Sequence, residues 1–176
     1  MNYLGIDKSS ISNGPGVRVV LWVAGCKLHC KGCQNPESWN FNAGKLFDEF
    51  AKDELFAALN KPYIQGITFS GGHPLESENY WTIYLLICEI KAKFPNKNIW
   101  LYTGRTLDIS DFNVSSNGWY KGKIKNQILS MCDVVVDGPY IEEQRDITLA
   151  FCGSKNQRLI DVRETLLQGK IITIQN

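Results

Sequence analysis

The chain is expected to fold as an α/β protein around a largely parallel sheet. Three observations lead there. Short runs rich in β-branched and aromatic residues alternate with segments of helical periodicity, the pattern of βαβ units. The first such run, Val17 to Val23, is apolar but for Arg18, as in a strand covered on both faces. Each run is followed at once by glycine or another turn former, so the strands stop at comparable ends.

In chain order, Ser12-Asn13-Gly14-Pro15-Gly16 reads as a turn and Val17 to Val23 as a buried strand. Asp53 to Asn60 is read as a helix with Ala51, Leu55, Ala58 and Leu59 on one face, and Pro62 bars its extension. Gly66 to Ser70 is a short strand running into Gly71-Gly72. Ser77 is the expected N-cap of a helix that stops before Pro95 and carries Tyr80, Ile83, Ile87, Ile90 and Phe94 as its apolar stripe. Asn98 to Tyr102 is a strand ending at Thr103-Gly104. Asp108 to Gly122 is polar and irregular, a surface excursion. Ile124 to Met131 is a short helix, and Val134 to Val136 a strand ending at Asp137-Gly138. Asp161 caps a last helix, with Glu164 placed as in a capping box and Gly169 as its stop. Ile171 to Ile174 is expected as a final strand.

The length of 176 residues suits one domain, residues 1–176, with a core large enough to need no disulfide staples. A net charge of +1 gives no argument for nucleic acid or for an anionic membrane surface. No apolar stretch approaches a membrane span, and Met1 to Lys8 lacks the apolar region of a secretory signal. The expected compartment is therefore the cytoplasm. There, six cysteines are more readily metal ligands or redox groups than disulfides.

Three of the six stand as Cys26, Cys30 and Cys33, spaced C-x3-C-x2-C directly after the first apolar strand. Three thiolates are one short of a closed tetrahedral site. They suit a four-iron cluster whose fourth iron stays open to a substrate. The competing reading is a structural zinc with His29 or a distant group as fourth ligand, but His29 adjoins Cys30 and both would have to reach one ion from one tight loop. The second motif is Ser70-Gly71-Gly72-His73-Pro74, where paired glycines after a strand let a ligand approach the backbone. In a parallel sheet ligands gather beyond the carboxyl ends of the strands. The cysteine loop, Gly71-Gly72, Thr103-Gly104 and Asp137-Gly138 are therefore expected on one rim, where Asp137, and less so Arg18, could touch a ligand. Cys88 and Cys132 read as small core residues.

The cysteine triplet followed by the glycine pair resembles the radical S-adenosylmethionine superfamily. Ser12 to Arg18, Ile99 to Gly104, Val136 to Tyr140 and Gly153-Ser154-Lys155-Asn156-Gln157-Arg158 narrow the resemblance to the activating subunits of anaerobic ribonucleotide reductase. The resemblance implies a partial, open α/β barrel, and the alternation of strands and helices gives it about six parallel strands. It implies a [4Fe-4S] cluster on Cys26, Cys30 and Cys33, with S-adenosylmethionine on the open iron. Gly32, Cys33, Gln34, Gly71, Gly72, His73 and Thr103 would surround that cofactor. The chemistry implied is reductive cleavage to methionine and a 5′-deoxyadenosyl radical, which takes hydrogen from a glycine of the reductase's catalytic subunit. An electron donor such as flavodoxin is implied with it. Three positions depart from the family pattern: His73 stands where an acidic residue is usual, Gln34 where an aromatic is usual, and Cys152 where an arginine is usual. An activase of a formate-lyase type enzyme, an electron carrier and a zinc-held interaction module are the alternative readings.

Overall fold

The structure, a computed structural model, describes residues 1–113 and 121–174. A seven-stranded sheet runs through it: β1 (Asn2–Ser10), β2 (Val17–Val23), β3 (Lys45–Leu46), β4 (Ile64–Gly71), β5 (Asn98–Tyr102), β6 (Val134–Asp137) and β7 (Arg158–Asp161). The spatial order is β3-β1-β2-β4-β5-β6-β7, with β3 and β7 as edges. The four strands β2, β4, β5 and β6 are parallel. The outer pairings β1–β2, β1–β3 and β6–β7 are antiparallel. The sheet is thus mixed, with four parallel strands in place of about six.

Two strands differ from expectation for physical reasons. β1 is mostly half-buried and carries Asp7 and Lys8, so it shows no apolar run. β7 holds only two buried apolar residues, Leu159 and Ile160, between charged ends. The Ile171 to Ile174 segment is not a ladder strand; it adds a single bridge, Thr173 to Ile160.

Four helices follow the strands: α1 (Glu49–Leu59), α2 (Tyr80–Lys93), α3 (Lys121–Met131) and α4 (Val162–Gln168). Asp48, not a residue near 53, caps α1 by accepting the Ala51 N–H. α2 starts at Asn79 rather than Ser77, and the Ser77 hydroxyl is turned to Glu78 instead. Asp161 caps α4 as expected, and Gly169 ends it with φ 64°. The aromatic and basic stretch 119–123 lies outside the residues whose side chains are described.

Side chains alternate across each strand. Val19, Leu21, Val23, Ile67, Phe69, Ile99, Leu101 and Val135 join Leu55, Leu59, Ile83, Ile87, Ile90, Ile128 and Val162 in one core, so all four helices share one face of the sheet. The opposite face has a small separate cluster of Trp100, Val134, Val136 and Leu159. Trp22, Ser70 and Tyr102 fall on that second face.

Arg18 is fully buried on the same side. Its Nε donates to Thr68 Oγ1 (2.9 Å), Nη1 to Asn98 Oδ1 (2.6 Å) and Nη2 to the Ile67 carbonyl (2.8 Å), while the guanidinium lies 5.3 Å from the Trp100 ring centre. Burial lowers its pKa to about 10, with Tyr102 and Asp133 opposing. The Thr68 hydroxyl in turn donates to the Asn13 carbonyl (2.7 Å), fixing the Asn-Gly-Pro-Gly turn. Arg18 is consumed by this packing.

Candidate functional site

The cysteine loop leaves the end of β2 and is held from outside itself. Gly25 N–H donates to the Ser38 carbonyl (2.7 Å) and Cys26 N–H to the Trp39 carbonyl (3.2 Å). Within the loop Cys33 N–H donates to the Cys30 carbonyl (3.1 Å), and His29 adopts a left-handed φ of 48°. Such a conformation in a non-glycine residue is stored strain. The glycine pair of β4 zips against the loop: Gly72 N–H donates to the Val23 carbonyl and His73 N–H to the Gly25 carbonyl, each at 2.8 Å. A Cβ on Gly72 would stand 2.6 Å from the Gly25 oxygen, so only glycine permits this approach. Gly72→Ala is therefore expected to push the loop outward, cost about 1–3 kcal/mol, and lower iron incorporation several-fold. Iron per chain after anaerobic reconstitution measures this, and wild-type loading would refute it.

Beyond the strand ends lies a cleft with about 890 Å³ of empty space, counting the part open to solvent. Cys26, Cys30, Cys33 and Gln34 line one side, Gly71, Gly72 and His73 another, and Thr103 and Gly104 a third. Trp22, Ser70 and Tyr102 form its floor from the helix-free face of the sheet, and Gly138, Tyr140, Gly153 and Gln157 close it.

At the glycine corner three side chains form a chain of hydrogen bonds. His73 is 1% exposed; its Nδ1 lies 3.1 Å from Glu76 Oε1 and its Nε2 2.8 Å from Thr103 Oγ1. Burial lowers the His73 pKa, with Glu76 opposing. Burial also works against the Glu76 charge, but the hydrogen bonds from His73 and from the Lys27 N–H hold its carboxyl below the ordinary value. Lys27 N–H donates to the same Oε1 at 3.3 Å.

A family model described as a 4Fe-4S single cluster domain matches residues 12–160. The anaerobic ribonucleoside-triphosphate reductase-activating protein of Haemophilus influenzae is 39% identical over 159 residues, 89% of this chain and 96% of that protein. The protein of the same name from Enterobacteria phage T4 is 41% identical over 160 residues, 90% and 93% of the two chains. That of Escherichia coli K12 is 36% identical over 159 residues, 89% and 96%. The chain belongs to the family of anaerobic ribonucleoside-triphosphate reductase-activating proteins.

In this activating-protein fold the cleft gathers the expected residues except Gly32, Asp137 and Arg18. Gly32 is absent from the lining; it packs against Glu142 and Tyr140. Asp137 is also not in the lining. It is fully buried and takes Arg158 Nε (2.9 Å) on Oδ1, and Arg158 Nη2 (2.5 Å) and the Leu107 N–H (2.8 Å) on Oδ2. The Gly-Ser-x-Asn-Gln-Arg segment thus acts as a clamp. Gln157 accepts from the Gly153 and Ser154 N–H groups and donates to the Gly138 carbonyl, while Asn156 donates to the Pro139 carbonyl. Cys132 is buried and Cys88 only half-buried.

The donor set fits an iron–sulfur cluster. All three thiols are half-buried. Burial raises the Cys26 pKa, and the Leu28 and His29 N–H groups oppose it. Among the described residues no three His, Cys, Asp or Glu side chains converge on one ion position. A cluster that gives each thiolate its own iron needs no such convergence. Trp39, in the lining, holds a buried indole N–H with no partner among the described residues. Trp39 and Trp22 carried no recognisable sequence signal, whereas Asn13, Tyr140 and Gln157 lay within segments already singled out. No helix among the described residues is long and apolar enough to cross a membrane.

Proposed function

We propose that this chain activates an anaerobic ribonucleoside-triphosphate reductase by radical S-adenosylmethionine chemistry. The observation that carries the proposal is the meeting of the three cysteines and the Gly71-Gly72 rim in one cleft. Cys26, Cys30 and Cys33 hold a [4Fe-4S] cluster, and the iron without a cysteine is left for the amino and carboxylate ends of the cofactor. Gln34, Gly71, Gly72, His73 and Thr103 surround the cofactor, with Gly32 setting the loop beside it. When bound, cluster and cofactor supply a one-electron cleavage of the sulfonium that delivers a 5′-deoxyadenosyl radical to a glycine of the reductase. The chain's own task is to bind, orient and exclude water. Trp22 and Tyr102 give the cleft an aromatic floor, and the clamp around Gln157 fixes its far wall.

We read the one-sided placing of the helices as that of a partial barrel, with the cleft on the inner face and the reductase entering from its open side. Residues 1–176 form one domain in this reading, acting in the cytoplasm with a flavodoxin-type electron donor. The test is anaerobic reconstitution with iron and sulfide, then strong reductant and S-adenosylmethionine. Methionine and 5′-deoxyadenosine are expected, with a glycyl doublet by electron paramagnetic resonance when the reductase is added. No cleavage ends the enzyme reading. A doublet only on a formate-lyase type partner reassigns the target.

A further inference from the structure

Position 73 lacks the usual acid, and both ring nitrogens of His73 are already engaged, one by Glu76 and one by Thr103. The hydrogen inventory of this chain is decisive. An ionised Glu76 carries no hydrogen, so Nδ1 must be the donor in that pair. A neutral imidazole then has only a lone pair at Nε2, so the Thr103 hydroxyl donates its one hydrogen there. This leaves Thr103 Oγ1 with two lone pairs. One faces the Arg105 N–H at a long 3.3 Å. The other has no partner among the described residues, and Thr103 lines the cleft. Glu76 itself does not line it.

We propose that Glu76 is a positioning residue for the amino-acid end of the bound cofactor: through His73 it turns Thr103 into a pure acceptor for the ligand's ammonium group. The inference rests on the function proposed above and deepens it. The negative charge that position 73 lacks sits three residues further on, and acts through the ring instead of touching the ligand. Lys27 N–H on Glu76 Oε1 and the 3.8 Å approach of Lys27 Nζ to Oε2 hold the carboxylate in place from the cysteine loop, so the same residue also ties the two halves of the site together.

The experiment uses anaerobically reconstituted protein and two probes. One is S-adenosylmethionine; the other is 5′-methylthioadenosine, which has the adenosine and sulfur but no amino-acid end. Equilibrium dialysis gives both affinities, and iron content is measured alongside. Glu76→Leu, which removes the acceptor for His73 Nδ1, and Thr103→Val are each expected to weaken S-adenosylmethionine by about tenfold or more, as for a lost hydrogen bond to a charged group. Iron content and 5′-methylthioadenosine binding should hold at wild-type levels, and Thr103→Ser should restore the affinity. The double variant should be no worse than the weaker single one, because the three groups act as one chain. Unchanged S-adenosylmethionine affinity in Glu76→Leu overturns the inference. So does an equal loss of both probes or of iron, which marks a merely structural role, and so do losses that multiply in the double variant. Wild-type protein that binds no S-adenosylmethionine overturns the proposed function and this inference with it. Wild-type binding with an unaffected Glu76→Leu removes only the role of Glu76.

Discussion

Cys30→Ala is expected to abolish both cluster assembly and cofactor cleavage. Cys30 lies between the other two cysteines of the loop, and its carbonyl accepts the Cys33 N–H. Alanine preserves that backbone contact, so the loop should keep its path while losing one thiolate. With two cysteines in the loop, a four-iron cluster has two unheld corners. Iron per chain should fall to near background, and 5′-deoxyadenosine formation should drop by at least about a thousandfold. The apo protein should melt at the wild-type temperature, because the Cys30 side chain is only half-buried and packs in no core. Full iron loading with normal turnover would remove Cys30 from the ligand set.

Arg158→Ala is expected to give the largest loss of stability of any change near the cleft. It strands the Asp137 carboxylate, which is fully buried at the end of β6. Removing one partner of a buried pair leaves an uncompensated charge, at about 3–5 kcal/mol. The Arg158 side chain is 34% exposed, and water can reach part of the gap, so the lower figure of about 3 kcal/mol applies. For a chain of this length that lowers the melting temperature by roughly 10 °C. The same change frees the Leu107 carbonyl that Arg158 holds at 2.7 Å, loosening the loop after β5. Thermal unfolding of apo protein measures it, and a shift below about 2 °C would show that the ion pair contributes little.

The parallel centre of the sheet was legible because its strands advertise themselves. Val19 to Val23, Gly66 to Phe69 and Ile99 to Leu101 lie in the middle of the sheet, almost wholly buried, and burial writes a largely apolar run into each. The outer strands leave no such trace: β1 is half solvated, and β7 is four residues long. Antiparallel edges can be built from polar residues, so they escape a reading based on hydrophobic runs. The cleft was legible as a set of strand ends, and the cysteines as ligand-type residues by their spacing. The role of Asp137 was not. A carboxylate at a strand end looks the same in sequence whether it faces a ligand or an arginine twenty-one residues later, and only the fold brings Arg158 to it. His73 was visible as a departure, but its partners Glu76 and Thr103 come from the following turn and the next strand, and no spacing rule joins them.

The cleft draws one wall from residues 26–34 and the opposite one from residues 138–157. During synthesis, then, the thiols leave the ribosome more than a hundred residues ahead of the segment that will face them. At ~5–20 residues per second the interval is on the order of ten seconds. For that time the nascent chain offers sulfur donors without an enclosure.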